Sequence, residues 1–408
     1  MTALDIPPVV RAVADAAAAV GGRTFLVGGS VRDHHMGKPI KDWDLEVHGV
    51  EADDLERLLR KIGRIDTVGK SFAVFKLHQR GLELDVSIPR RDSKAGPGHK
   101  GIVAEGDPHL GVVEATRRRD LTVNALLMDV QTGEILDPWH GLDDLRDRIL
   151  RPVDRETFLE DPLRAVRAVQ FAARLEFAPS ESLLAQCREA ALNELPPERV
   201  LAEWAKLLLR GGRPSLGMAL ARDTDILARL FPEHPCPVAQ DAALDRAVAF
   251  RAHMGPEGRA LALMVAVWLA GLPLAAATAT LDRLKLFRWV GFPAREVALA
   301  AAGQVDAPIA TDADLRWLST RAEVELTLFA RAAVRDEDLT LVMARAAALG
   351  VMWEKPVALV AGRDLETMGM RPGRAMGQLL QELYALQLDG ELTSTEDALN
   401  LARIKLAV

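Results

Sequence analysis

Strand signals nearly vanish after about residue 151 of this chain. Upstream, short apolar runs bounded by turn residues alternate with helical spacing. Thr24–Val27 is stopped by Gly28-Gly29, and Trp43–Val47, Phe72–His78 and Leu82–Ile88 read as further strands, with a helix over Ala52–Ile62. Downstream, Pro162–Leu175, Glu181–Leu192, Pro197–Leu209 and Ala243–Ala252 repeat their apolar residues at helical period, as does most of the remainder. The pattern predicts an α+β protein: a mixed-sheet head over residues 1–150, then an all-helical remainder. The stretch Ser93–Glu105, crowded with Gly, Pro and charge, is expected to be a mobile loop. A length of 408 residues is enough for two or three domains.

Composition narrows the function classes. Subtracting 58 acidic from 51 basic residues leaves −7, so a nucleic-acid partner must be met by a local basic patch and not by bulk charge. An aromatic content of 5% argues against a platform that stacks several bases. Two cysteines, Cys187 and Cys236, exclude a disulfide framework and a thiolate zinc site. Residues 1–22 carry Asp5 and no basic leader, and read as a short amphipathic helix ended by Gly21-Gly22. Ala260–Leu281 has no charge over a span-length stretch, but Gly271-Leu272-Pro273 breaks it, which favours a buried helix–turn–helix over a membrane span. A cytoplasmic protein with no membrane contact is the expectation.

The chemistry concentrates near residue 40. In KDWDLEV, Asp42 and Asp44 are two apart on a predicted strand and so share a face. Paired carboxylates on a rigid support offer the hard oxygen ligands that Mg²⁺ prefers. Asp85 in LELDVSIPR is a candidate third acid on another strand. Taken alone, an Asp-x-Asp this short favours the solvated face of an edge strand by about three to one. Its context adds weight, because Gly28 and Gly29 end a strand where a helix begins, leaving backbone N–H groups open to phosphate oxygens. Arg32, one turn into that helix, can add a bidentate contact.

LVGGSVRDHHMGKPIKDWDLEV resembles the first motif of class II tRNA nucleotidyltransferases, the CCA-adding enzymes, and of their bacterial poly(A) polymerase relatives. RRDLTVNALLMD, DPWHGLDDLRDRILR, EDPLRAVRAVQFAARLEF and ERVLAEWAKLLL follow in the family's order. The C-terminal part matches weakly, chiefly through GRDLETMGMRPGRAMGQLL. The resemblance implies a polymerase-beta-like head with Mg²⁺ on Asp42 and Asp44. It also implies a neck over 151–235 and a body and tail over 236–408 that bind tRNA. Gly28, Gly29, Arg32, Arg119 and neighbouring Arg118 would hold the nucleotide, with Arg167 one step beyond the base-reading residues. By the same resemblance, Asp161 and Arg164 read the incoming base. From the residues alone, Asp161 is an N-cap, Pro162 the first helical residue, and Asp120 a simple cap beside a solvated basic run.

Hydrogen bonding makes the base-reading pair sensible. A carboxylate accepts from the exocyclic amine of cytosine or adenine, and a guanidinium donates to the adjacent acceptor. UTP and GTP would leave buried groups unpaired, at about 1–3 kcal/mol each. The expected activity is addition of C and A to a tRNA 3′ end from CTP and ATP. Restricted CC- or A-addition, poly(A) synthesis and a silent RNA-binding scaffold are the alternatives. Gln170 stands where the family usually has arginine, which would weaken a phosphate or template contact. In GKSF, Ser71 stands where poly(A) polymerases tend to carry a basic residue, favouring the tRNA enzyme. No His-Asp dipeptide occurs, so no phosphohydrolase activity is expected. His34 and His35 are expected on a helix surface, and Trp139 and His140 in a turn. Arg363, Arg371 and Arg374 are candidate tRNA phosphate contacts, or equally a solvated cluster at a helix end. No protein partner is predicted.

Overall fold

The structure, a computed structural model, describes residues 4–40, 42–67, 74–94, 102–235 and 237–406. They divide into two compact units, Met1–Trp204 with Leu216–Leu230, and Ala205–Ser215 with Phe231–Val408.

The first unit is built on a seven-stranded sheet. Its strands are β1 (Arg23–Val27), β2 (Trp43–His48), β3 (Arg64–Thr67), β4 (Val74–Gln79), β5 (Leu82–Ser87), β8 (Leu127–Asp129) and β9 (Ile135–Leu136), in the order β3-β4-β5-β2-β1-β8-β9. Only β2 and β5 run parallel; the other neighbours are antiparallel. Alternation sorts the faces of β2: Trp43, Leu45 and Val47 are buried apolar residues, and Asp44, Glu46 and His48 take the other side. Helix α1 (Pro8–Ala18) packs on β1 and on α3 (Ala52–Ile62). In α3, Leu55 and Leu59 are buried one turn apart, with Asp53 and Asp54 in the first turn and Arg60 and Lys61 in the last, each sign on its favourable dipole end.

One expectation is corrected in this unit. Residues flanking the predicted mobile loop pair instead as a ribbon, β6 (Arg90–Lys94) against β7 (Ile102–Gly106), with Ser93 opposite Val103 and Arg91 opposite Glu105. The ladder satisfies backbone donors and acceptors whatever the side chains, so polar composition did not forbid it. Residues 95–101, the Gly/Pro-rich centre, lie outside the described residues, as do 68–73 with the GKSF segment. The strand expected from Phe72 is described from Val74 onward.

Helices then take over. They are α4 (Val112–Arg117), α5 (Gly141–Asp147), α6 (Arg155–Glu160), α7 (Leu163–Leu175), α8 (Glu181–Glu189), α9 (Pro197–Arg210), α10 (Pro214–Asp223) and α11 (Ile226–Leu230), with a two-residue parallel pair between Ile149–Leu150 and Ala178–Pro179. α2 (Gly29–His35) lies between β1 and β2.

The second unit is helical throughout its described residues beyond α9 and α10. α12 (Ala239–Arg251) and α13 (Glu257–Leu269) pack together. α13 is buried on every side, from Gly258 through Leu269 apart from Arg259. It ends before Gly271, at φ 80°, and α14 (Leu274–Arg283) follows Pro273, so the uncharged stretch is two short helices. Among the described residues no helix is long and apolar enough to cross a membrane. Further along, α15 (Ala294–Ala302), α16 (Asp312–Ser319), α17 (Val324–Arg335) and α18 (Thr340–Ala348) precede a terminal cluster. There, Leu365, Met376 and Leu383 are buried among α19 (Gly362–Thr367), α20 (Arg374–Asp389) and α21 (Thr395–Leu406).

Candidate active site

Register brings the acids together. Strands β2 and β5 pair in parallel with Asp44 directly opposite Asp85, so two carboxylates stand side by side on one face, about 5 Å apart at the backbone. Asp42 is not in the strand as expected. It is exposed and immediately precedes β2, and its backbone carbonyl accepts from the Ser30 hydroxyl at 2.7 Å. That bond ties the first turn of α2 to the acidic strand.

The local charge is unbalanced. Burial, then Asp85 and Asp42, push the Asp44 carboxyl above its ordinary range, while Arg119 and Lys76 pull it back. Lys76, opposite Asp85 on β4, reaches Asp85 Oδ1 at 3.2 Å and Glu83 Oε1 at 2.5 Å. Sequence reasoning passed over Lys76, although its alternation with Val74 and His78 placed it on the polar face.

The glycine turn lies between β1 and α2 as the sequence suggested, but the Gly28 N–H is not open to a ligand, because it donates to the Leu126 carbonyl at 3.1 Å. Gly28 sits at φ 66°, a conformation that costs a side-chain-bearing residue about 1–2 kcal/mol. A Cβ there would lie 2.7 Å from Arg119 Nη1, so the guanidinium lies directly against the turn. A Cβ on Gly29 would meet Arg32 Nη2 at 3.4 Å. Arg32 is buried, with Nε on Asp33 Oδ1 at 2.8 Å, Nη1 on the Asn124 side-chain oxygen, and its plane 5.6 Å from the Phe171 ring centroid. Its side chain therefore braces α2 against Asn124 and α7 beside the turn.

Glu46 also escaped sequence reasoning. It is 1% exposed and continues the polar face of β2 from Asp44. Its carboxylate bonds His48 at 3.0 Å and pairs with Arg118 at 3.3 Å and Arg119 at 3.9 Å. Burial raises its pKa, but the His48 hydrogen bond and the two arginines outweigh that and hold it below the usual range. Arg118 and Arg119 thus stand beside the acids because a buried counter-ion holds them there. The alternating DWDLEV pattern carried this signal.

The basic run is anchored from the other side by Asp120, which is buried and not a simple cap. It accepts from Leu121 N at 2.8 Å, Asn124 Nδ2 at 3.0 Å and Arg167, whose Nη2 is at 2.7 Å. Burial would raise its pKa, yet Arg167 and these bonds depress it to about 2. Arg167 also lies 3.7 Å from Glu203 and acts here as a brace.

Asp161 and Arg164 meet through the backbone, where Arg164 N donates to the Asp161 carbonyl at 2.9 Å. Helix α7 starts at Leu163, one residue later than expected, with Pro162 as its cap and Asp161 Oδ1 accepting from Leu163 N at 3.2 Å. Asp161 Oδ2 receives Arg199 Nη2 at 3.2 Å. Arg164 donates to the carbonyls of Thr157 at 2.6 Å and Arg118 at 2.5 Å. The last bond joins the predicted base reader to the backbone of the phosphate-side arginines. Gln170 is buried and accepts from Arg174 at 3.0 Å within the same helix, so it packs and does not face the turn. His34 and His35 are half-buried on α2. His140 is exposed in a left-handed turn, and Trp139 Nε1 donates to Thr116 at 2.8 Å.

Residues 24–151 match the family described as "Poly A polymerase head domain", and residues 176–236 match the "probable RNA and SrmB-binding site of polymerase A". Over residues 24–236 the chain is similar to the CCA-adding enzyme and poly(A) polymerase family. It is 38% identical over 218 residues to the multifunctional CCA protein of Xanthomonas campestris pv. campestris, covering 52% of this chain and 51% of that protein. With the multifunctional CCA protein of Aromatoleum aromaticum it shares 39% over 217 residues, 52% of this chain and 51% of the relative. The chain thus spans about half the length of the curated relatives it matches. The fold is similar to that of Bacillus stearothermophilus CCA-adding enzyme in complex with CTP, at TM-score 0.73 and 23% identity over 98% of this chain and 100% of that one. It is similar also to Thermotoga maritima CCA-adding enzyme complexed with tRNA, at TM-score 0.66 and 19% identity over 98% and 96% of the two chains.

Proposed function

We propose that this protein is a cytoplasmic, template-independent tRNA nucleotidyltransferase that adds C and A to the tRNA 3′ end from CTP and ATP, releasing pyrophosphate. The observation that carries the reading is the single polar corner of the sheet: Asp44 in register with Asp85, Asp42 bonded through its carbonyl to Ser30 of the glycine turn, and Arg119 against Gly28. The name of the curated relatives, multifunctional CCA protein, supports CCA as the product.

The acids fit Mg²⁺. Among the described residues no three Asp, Glu, His or Cys side chains converge as a ready metal cage. Mg²⁺ does not require one, since it is commonly bound by one or two carboxylates plus substrate phosphates and retained water. Burial first, and then the neighbouring Asp85 and Asp42, raise the Asp44 pKa, and a divalent cation there would offset both. Asp42 and Asp44 would hold Mg²⁺, which when bound supplies activation of the primer 3′-hydroxyl and neutralisation of the triphosphate. Asp85, paired with Lys76 at 3.2 Å, stands beside Asp44.

The chain's own groups do the positioning. The backbone N–H of Gly29 donates to phosphate oxygens, while that of Gly28 stays on the Leu126 carbonyl, and Arg118 and Arg119 add charge from the Glu46 side. Arg32 stiffens the start of α2. Asp161 accepts from the exocyclic amine shared by cytosine and adenine, and Arg164 donates to the neighbouring acceptor. Arg167 holds the α7 face through Asp120. The C-terminal unit grips tRNA by backbone and shape, which suits a chain of net charge −7.

Incubation with tRNA lacking its last three nucleotides, Mg²⁺ and labelled CTP and ATP is expected to yield a product three nucleotides longer, with no further extension. Absence of incorporation rejects the reading. Long ATP-only tails on generic RNA identify a poly(A) polymerase instead, a reading that the matched head-domain family keeps open.

A further inference from the structure

At the far end of α2 from the glycine turn, seven residues or about 10 Å of helix away, the first unit holds a cavity of about 560 Å³. Its floor is apolar, from Met36, Leu145, Leu175 and Phe177. Its rim is charged, from Lys38, Arg146, Arg148 and Glu176, and His35 completes the lining. The cavity is half open and its exposed lining is somewhat more polar than apolar, which suits a polar, charged ligand.

Three features go beyond ordinary helix-end charge. Among the described residues the side chains of Lys38 and Arg148 make no hydrogen bond or ion pair, whereas Arg146 is occupied by Asp143 at 2.9 Å and Asp147 at 3.1 Å. Nδ1 of His35 is buried without a partner. Arg148 and Glu176 cap α5 and α7 in left-handed backbone, at φ 56° and 59°. Glycine is the residue that takes such caps without strain. Arg80, Asp225, Lys285 and Asp336 take the same conformation elsewhere, and what sets Arg148 and Glu176 apart is that both line this one cavity.

The groups match a ribonucleotide. Lys38 and Arg148 supply cations for a phosphate, the Glu176 carboxylate accepts from ribose hydroxyls, and the floor packs a base whose edge meets His35 Nδ1. We propose that this cavity is a second ribonucleotide-binding site, separate from the glycine turn. Its occupant is either a free nucleotide or one nucleotide of a bound RNA strand; the chemistry is shared.

The test uses the full chain with two probes, AMP and a five-nucleotide oligoribonucleotide, and two variants. K38E/R148E reverses the exposed cations, and M36W fills the floor without changing charge; thermal melting checks that both fold. If free nucleotide is the ligand, both variants weaken AMP binding at least tenfold and leave CTP affinity unchanged. If a strand nucleotide is the ligand, AMP does not bind and both variants weaken the oligoribonucleotide at least tenfold. The proposal is overturned if neither probe responds to both variants. An oligoribonucleotide effect from K38E/R148E alone also overturns it, because that is diffuse charge attraction. Equilibrium binding reads the site independently of nucleotidyl transfer, so its failure is distinct from failure of the function proposed above.

Discussion

Asp120 shows how one buried carboxylate can decide both stability and site geometry. Its folded pKa of about 2, against an ordinary 3.8, stabilises the fold fully above pH 4. That contribution is lost as pH falls from about 4 toward 2, and amounts to roughly 2 kcal/mol. Asp120→Asn is therefore expected to destabilise the protein at pH 7, and the gap from the unaltered chain should narrow as pH approaches 3. Urea denaturation across that range checks it. Gly28 gives a second prediction. Gly28→Ala adds a strained φ and a clash with Arg119, whereas Gly37→Ala adds a comparable strain at φ 68° in open space. The expected outcome is a CTP KM raised about tenfold for the first and unchanged for the second, with similar melting temperatures.

Among the elements, β2 carries the site on one face and the core on the other. The alternation DWDLEV made that division legible, including the position of Glu46, whose importance was not legible. A carboxylate on a polar face looks solvated until Arg118 and Arg119, 72 and 73 positions away, close over it. Glu46→Gln removes the charge while keeping a polar side chain. It should raise the KM for CTP and ATP by the same factor, about tenfold, because it loosens the phosphate grip and not the base reader. Asp161→Asn should instead change the ratio of CTP to UTP use, since an amide donates where the carboxylate accepts. Steady-state kinetics with each nucleotide separates the two. The ribbon of β6 and β7 is where composition misled: polar composition suggested a loop, and the pairing of Arg90–Lys94 with Ile102–Gly106 depends on backbone groups.

Across the full chain, two compact units share the work, and the matched head-domain and RNA-binding families fall within residues 24–236. The remaining helices carry exposed arginines at 363, 371 and 374. If these meet tRNA phosphates, the R363E/R371E/R374E chain should show a tRNA KM raised about tenfold at unchanged CTP KM. Its salt dependence should also be shallower, by roughly one unit for each arginine replaced. Titrating tRNA binding from low to high salt measures both.

Local pattern was enough to place helices and strands along the chain, to locate the glycine turn and the carboxylates, and to mark the second half as helical. Those properties follow from periods of two and 3.6 residues and from turn chemistry, which act over a few neighbours. Packing alone set Asp85 in register beside Asp44, brought Lys76 and Glu46 to tune the charges around them, and turned Arg32 and Arg167 into internal braces. Such partnerships join residues distant along the chain. A buried charge takes whichever opposite charge the fold brings within a few ångströms, and that choice is made when the strands and helices pack.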